Sequence, residues 1–251
     1  MRWRVRRRSR NTFPPATPDD LDETGSAVEE CGRRWLGEIA DQRDLGRLRE
    51  VRDRVVQEFG GIDILFANAG IQAFASLLEM EDADWHDIID VNLTGTANAI
   101  RAFAPAMVER GGGRIILTSS TQGQHGTLDG AAYSASKWGI IGLMKSAALE
   151  LGPHGITVNA LVPGLIDTAL TRHEDRYAQA IRVGGGTPSG DEQADEQKAA
   201  EGLAAKLPLR VPWLEPDAVA PAVVFLASAA GAMVSGTSLA VTGGDSANVT
   251  A

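Results

Sequence analysis

At 251 residues, with 43% hydrophobic and 23% charged side chains, the chain is long enough for one full hydrophobic core and ordinary in composition for a soluble protein. Net charge is −9, and the first ten residues carry six Arg and no acid, so the body is more acidic still and nucleic acid is excluded as the main partner. The single cysteine, Cys31, excludes an internal disulfide and a Cys-based metal cluster, and no apolar run approaches the roughly 18 residues of a membrane span.

The start, MRWRVRRRSR, is basic but lacks the apolar segment of a secretory signal, and a cytoplasmic setting is expected. Its arginines read as a solvated terminus, with an anion-binding arm as the alternative. In ATPDDLDETGSAVEE, Thr17 as N-cap, Pro18 at the first helical position and Asp20 behind them predict a helix. RRWLGEIAD predicts a short strand ending at Asp41. DLGRLREVRDRVVQEFG places Leu45, Leu48, Val55 and Phe59 on one helical stripe. GIDILFANAG predicts a buried strand and a glycine turn, and residues 81–110 a helix with a break near Pro105. GGGRIILTSS predicts a second buried strand, and AAYSASKWGIIGLMKSAALEL a long helix stopped at Gly152-Pro153. GITVNALVPG predicts a third strand. Residues 171–210 are polar and mixed and predict a mobile excursion. EPDAVAPAVVFLAS then reads as helix and GTSLAVTGG as a last strand.

Short apolar strands alternating with longer helices predict a single α/β domain over residues 1–251, with a doubly wound, Rossmann-type parallel sheet. Ligands of that class sit at the carboxyl ends of the strands. Asn68, Ser119-Ser120 and Pro163-Gly164 follow three of the strands and become candidates for that reason.

Tyr133 and Lys137 stand four apart in the long helix and share a face. A phenol ordinarily loses its proton near pH 10, and a neighbouring ammonium favours the phenolate. A tyrosine so tuned exchanges a proton with an alcohol or carbonyl oxygen, and Ser120 can donate a hydrogen bond to the same oxygen. The trio suits the interconversion of an alcohol and a ketone with hydride moving to or from a nicotinamide. A helical Tyr and Lys pair on its own is more often surface decoration.

The motifs around it resemble, in order and spacing, those of the short-chain dehydrogenases/reductases, over about residues 35–250. ANAG at 67–70, DVNLTG at 90–95, ILTSS ending at Ser120, YSASK at 133–137 and VNALVPGLIDT at 158–168 carry the resemblance. It implies Tyr133 as general acid/base, Lys137 lowering its pKa and binding the nicotinamide ribose, and Ser120 polarising the substrate oxygen. It implies Asn92 holding a water that links Lys137 to solvent. Asn68, Ala69, Gly70, Pro163 and Gly164 would line the cofactor groove, and Asp41 would contact the adenine. Thr168 and the backbone near Ile166 would hold the carboxamide. The implied cofactor is NAD in preference to NADP, the substrate a small-molecule alcohol or ketone chosen by a lid at 171–210, and the assembly a homo-oligomer, dimer or tetramer. TFPPATPDDLDET and VPWLEP narrow the resemblance to a carveol-dehydrogenase-like subgroup associated with the redox cofactor mycofactocin, which would favour a small hydrophobic secondary alcohol.

The family opens with a strand and T-G-x-x-x-G-x-G, whose glycines let backbone N–H groups approach a pyrophosphate at a helix N-terminus. No glycine precedes Gly25 here, and RWRVR is expected to stand for the second strand alone, with Arg6, Arg7 and Arg8 near its end. The first strand and helix are expected to be lacking, through a start placed downstream of the true one, through a shortened gene, or through a gap filled by the basic terminus. The alternative function is a cofactor-free relative acting as a binding or assembly protein. His86, His125, His154 and His173 lack ligand spacing and read as surface or loop histidines, with no metal implied. DEQADEQ reads as a solvated face, Trp85 and Trp138 as packing residues, and Asn159 as a turn stabiliser.

Overall fold

The computed structural model describes residues 16–248. Helix α1 (Pro18–Glu30) opens on a capping box: Thr17 Oγ1 accepts from the Asp20 N–H at 3.3 Å, and the Asp20 carboxylate accepts from the Thr17 N–H at 2.6 Å. Pro18 takes the first helical position, where a missing N–H leaves no bond unmade. Helix α2 (Leu45–Phe59) is capped by Asp44 and packs on α4 (Gly95–Arg110), with half-buried Val55 and Val56 against the core.

Among the described residues, four strands form one parallel sheet in the order β1 (Ile64–Ala67), β2 (Gly113–Thr118), β3 (Ile156–Pro163), β4 (Ser238–Val241). Ala67 lies opposite Leu117, Thr118 opposite Leu161 and Pro163 opposite Val241, so the strands end together and present one carboxyl edge. Side chains alternate across the sheet. Ile115, Leu117, Val158 and Ala160 face one layer, made of α4 and α5 (Ala131–Leu151), and pack on Met107, Ile140 and Met144. Ile116 and Leu161 face the other and meet Leu226 of α8 (Pro216–Ala227). Helices on both faces of a parallel sheet are the doubly wound arrangement expected from the alternating pattern.

Residues 33–41 form no strand. Strand structure needs a hydrogen-bonding neighbour, and side chains hold this stretch instead: Trp35 lies on Gly25 of α1, and Glu38 is paired with Arg47 and Arg54 of α2. β1 is an edge strand among the described residues, so its apolar sequence is not buried: Ile64 is 49% and Phe66 40% exposed. RWRVR and Arg6, Arg7 and Arg8 lie outside the described residues.

The helix over 81–110 breaks at Asn92, not at Pro105, which sits inside α4. Helix α3 (Asp82–Ile89) runs through a π-helical turn, Asp90–Thr94, into α4. Residues 171–210 contain two further helices, α6 (Glu174–Val183) and α7 (Glu192–Lys206). They pack on each other around Tyr177, Ile181, Ala199 and Trp213, a small core of their own that an alternating polar sequence did not announce. Asp195, within DEQADEQ, is buried and accepts from Ser189 N (2.8 Å) and Gly190 N (3.0 Å), capping the turn that joins the pair.

Candidate active site

The carboxyl ends of β1, β2 and β3 open on a cavity of about 800 Å³. Asn68, Ala69 and Gly70 line it after β1, Ser120 after β2, and Pro163, Gly164, Ile166 and Thr168 after β3. Tyr133 and Lys137 enter from α5 and Arg176 from α6. Asn159 is in the sheet, where it ties β3 to the approach of β4 by donating to Val234 O (2.7 Å) and accepting from Thr237 N (3.2 Å).

One turn of α5 sets Tyr133 and Lys137 on the same inward face, 7% and 4% exposed. The helix is pinned to the end of β2 at this turn: Ser119 Oγ donates to Lys137 O at 2.9 Å, and Lys137 Nζ donates to Thr118 O at 2.9 Å. Nζ stands 5.5 Å from the centre of the Tyr133 ring. Ser120 caps the turn Thr121–Gly123, its Oγ accepting from Gln122 N at 3.2 Å, and hydrogen-bonds the Tyr133 phenol. Ser120, Tyr133 and Lys137 therefore meet at one place.

Asn92 is fully buried and does not line the cavity. Its Oδ1 accepts from Ile71 N (2.8 Å), and its Nδ2 donates to Ile71 O (2.9 Å) and Ser136 Oγ (3.1 Å). The π turn projects this side chain toward the loop after β1, and π turns recur at functional sites. Both amide hydrogens are spent on holding that loop against α5. Gly70 makes the approach possible: a Cβ there would come 3.2 Å from Asn92 Oδ1 and 3.5 Å from Lys137 Nζ.

Burial dominates the electrostatics. It pushes the Tyr133 phenol up to about 12, against a Ser120 hydrogen bond and the Arg176 charge, which both pull it down. Burial also pushes the Lys137 ammonium down to about 8. The expectation has Lys137 lowering Tyr133; Ser120 and, from another helix, Arg176 also pull the phenol down.

Asp41 is not in the cavity. Its carboxylate is gripped by Arg43, with Nε 3.0 Å from both oxygens, which holds it below the ordinary carboxylate range. His125 is a loop residue, as expected, but it also lines the cavity, and its Nε2 lies 3.2 Å from Asp245 Oδ2. Trp85 and Trp138 are outside the cavity, 36% and 51% exposed, where packing was expected. Arg176, Gln72, Gln122 and Asp245 line the cavity with no motif to announce them; Gln72, Gln122 and Asp245 follow the ends of β1, β2 and β4, where site residues are expected, whereas Arg176 is brought there by α6.

Among the described residues no cluster of three or more His, Cys, Asp or Glu side chains is placed to hold a metal ion, and no helix is long and apolar enough to cross a membrane. The short chain dehydrogenase family model matches residues 15–178, and the chain belongs to that family. It is 43% identical over 164 residues to an uncharacterised NAD-dependent oxidoreductase of Mycobacterium tuberculosis, a match spanning 65% of this chain and 60% of that protein. It is 37% identical to the (−)-trans-carveol dehydrogenase of Rhodococcus erythropolis, over 92% of this chain and 82% of that one. Carveol dehydrogenase from Mycobacterium avium, solved in complex with NAD, superposes with a TM-score of 0.85 at 35% identity, covering 94% of this chain and 83% of the other.

Proposed function

We propose that this chain is a cytoplasmic, nicotinamide-dependent oxidoreductase interconverting a small secondary alcohol and its ketone. The convergence of Ser120, Tyr133 and Lys137 at the ends of the central strands supports the reading most directly. The dinucleotide is NAD in preference to NADP, as the names of the Mycobacterium tuberculosis relative and the Mycobacterium avium complex suggest. Carveol, the alcohol for which two of these relatives are named, is a secondary alcohol and supports that class of reaction, and the mycofactocin association expected of the subgroup belongs to the same reading.

The residues present fit the nicotinamide end of such a cofactor. The cradle at Gly70, which a Cβ would fill, adjoins Lys137, while Ile166 and Thr168 offer groups for the carboxamide. When bound, the nicotinamide supplies the acceptor or donor of a hydride. The chain's own part is the proton. In the oxidative direction the carbinol hydrogen leaves as hydride and the hydroxyl proton passes to ionised Tyr133. In the reductive direction neutral Tyr133 returns that proton to the new alkoxide, with Ser120 holding the oxygen. A phenol pushed up to about 12 is protonated at neutral pH, the form that donates in the reductive direction. Helices α6 and α7 serve as the substrate lid, and α5 and α8 as the surface of a homo-oligomer, a dimer or tetramer.

The test is Tyr133→Phe. Removing one hydroxyl should cut turnover by about 10²–10⁴-fold while leaving the melting midpoint and dinucleotide binding in place. Undiminished turnover would overturn the reading.

A further inference from the structure

Arg176 is 8% exposed on α6, yet no carboxylate among the described residues pairs with its guanidinium. Nη1 donates to Gln179 Oε1, the guanidinium carbon lies 5.5 Å from the centre of the Phe74 ring, and Nε has no hydrogen-bond partner. Glu174 and Asp175, its neighbours on α6, are exposed, and three other acids are paired with other residues. Asp129 faces Arg182 at 3.8 Å, Asp245 faces His125 at 3.2 Å and Lys206 at 4.0 Å, and Asp167 pairs with Arg172 at 3.1 Å. A buried cation without a counter-ion is costly, so its retention calls for a reason.

The side chain lines the cavity and is close enough to Tyr133 for its charge to favour the phenolate. Phe74 and Gln179 hold it, not the Asn68–Gly70 or Pro163–Thr168 segments assigned to the cofactor. Gln179 is itself latched to the loop before α5, donating to Leu128 O at 3.1 Å and Thr127 Oγ1 at 3.3 Å. The guanidinium is thus fixed in place, and guanidinium geometry matches a carboxylate by paired N–H donors. Charged lining residues are Lys137, Arg176 and Lys206 against Asp245 alone, a positive balance in a chain whose net charge is −9.

We infer that Arg176 is the counter-ion of a substrate carboxylate, so that the substrate class is a small hydroxy acid or keto acid, not a neutral alcohol. This rests on the oxidoreductase reading for the chemistry, but the binding claim stands apart from it. The carboxylate would meet the part of Arg176 that lines the cavity, and the reacting oxygen would reach Tyr133 in the same cavity.

The experiment uses the full chain with NAD and cyclohexanecarboxylate, with cyclohexanecarboxamide as the neutral probe of the same shape, both titrated calorimetrically. The acid should bind at least tenfold more tightly than the amide. Arg176→Met should abolish that preference while remaining folded by circular dichroism, Arg176→Lys should keep part of it, and Tyr133→Phe should keep all of it. Equal binding of acid and amide, no binding of the acid, or a preference that survives in Arg176→Met would overturn the assignment. Turnover of 4-hydroxycyclohexanecarboxylate and cyclohexanol separates this from the underlying reading. Acid-selective binding with no hydride transfer to either leaves the Arg176 assignment standing and removes the oxidoreductase. Equal oxidation of both compounds does the reverse.

Discussion

Lys137 Nζ donates to the Thr118 carbonyl at 2.9 Å from a position 4% exposed, and no carboxylate among the described residues pairs with it. Moving an ammonium from 10.5 to about 8 corresponds to roughly 3 kcal/mol held against the charged form at neutral pH. The sign follows from proton counting. Between about pH 8 and 10.5 the unfolded chain holds more protons at this lysine than the folded chain, so stability rises with pH across that window. Below it both states are protonated and the penalty is felt in full. Tyr133, held near 12, and Arg176, held near 10, act mainly above this range. Lys137→Met, of similar length and without charge, should therefore raise the melting midpoint at pH 7 and flatten the rise between pH 8 and 10. A variant that melts lower at pH 7 would refute this account, and thermal melts at the two pH values decide it. Tyr133, Lys137 and Ser120 were legible in the sequence because one helical turn and one strand end fix their relation at constant spacing. Arg176 was not, because its place beside Tyr133 depends on α6 folding back over the cavity, which no local pattern encodes.

At the scale of elements, the site hangs on the π turn between α3 and α4. Three hydrogen bonds from one buried Asn92 join the loop after β1 to α5, through Ile71 and Ser136. Asn92→Ala leaves the Ile71 N–H and carbonyl without these partners, and a buried polar group so stranded costs about 1–3 kcal/mol. Both the denaturation midpoint and turnover should fall, since the loop carrying Asn68 and Gly70 loses its tether. A variant with wild-type stability and reduced turnover would instead assign Asn92 a purely chemical role; chemical denaturation with parallel rate measurements separates the two. The expected helix over this region was correct in kind, but Pro105 drew the break to the wrong place. Pro105 is accommodated within α4, whereas the π turn follows from where the Asn92 side chain bonds. β2, β3 and β4 were readable as apolar runs between glycine turns. The stretch ending at Asp41 has the composition of a strand but, among the described residues, no strand beside it, and strand formation is a property of pairs.

For the whole molecule, α5 shows how one apolar helix serves two surfaces. Its inward face buries Tyr133, Lys137, Ile140 and Met144, while Trp138 is 51% and Leu149 81% exposed on the opposite side. Eleven residues is close to three full turns, so Trp138 and Leu149 lie on one line along the helix. Val224 and Phe225 on α8 are likewise 66% and 40% exposed. The apolar runs IIGLMKSAALEL and AVVFLAS leave the division between core and outer surface undetermined in the sequence; the sheet decides it by claiming one side. Exposed apolar surface of this kind marks association sites in soluble proteins, and a second copy of the same chain meets it most simply by two-fold symmetry. Light scattering behind a sizing column should give a dimer or tetramer at micromolar concentration. Trp138→Glu combined with Leu149→Glu, which places charges on that line without touching the buried face, should shift the mass to monomer and keep the circular dichroism spectrum. A wild-type chain that elutes as a monomer, or a double variant that stays assembled, would show that α5 presents this face to water alone.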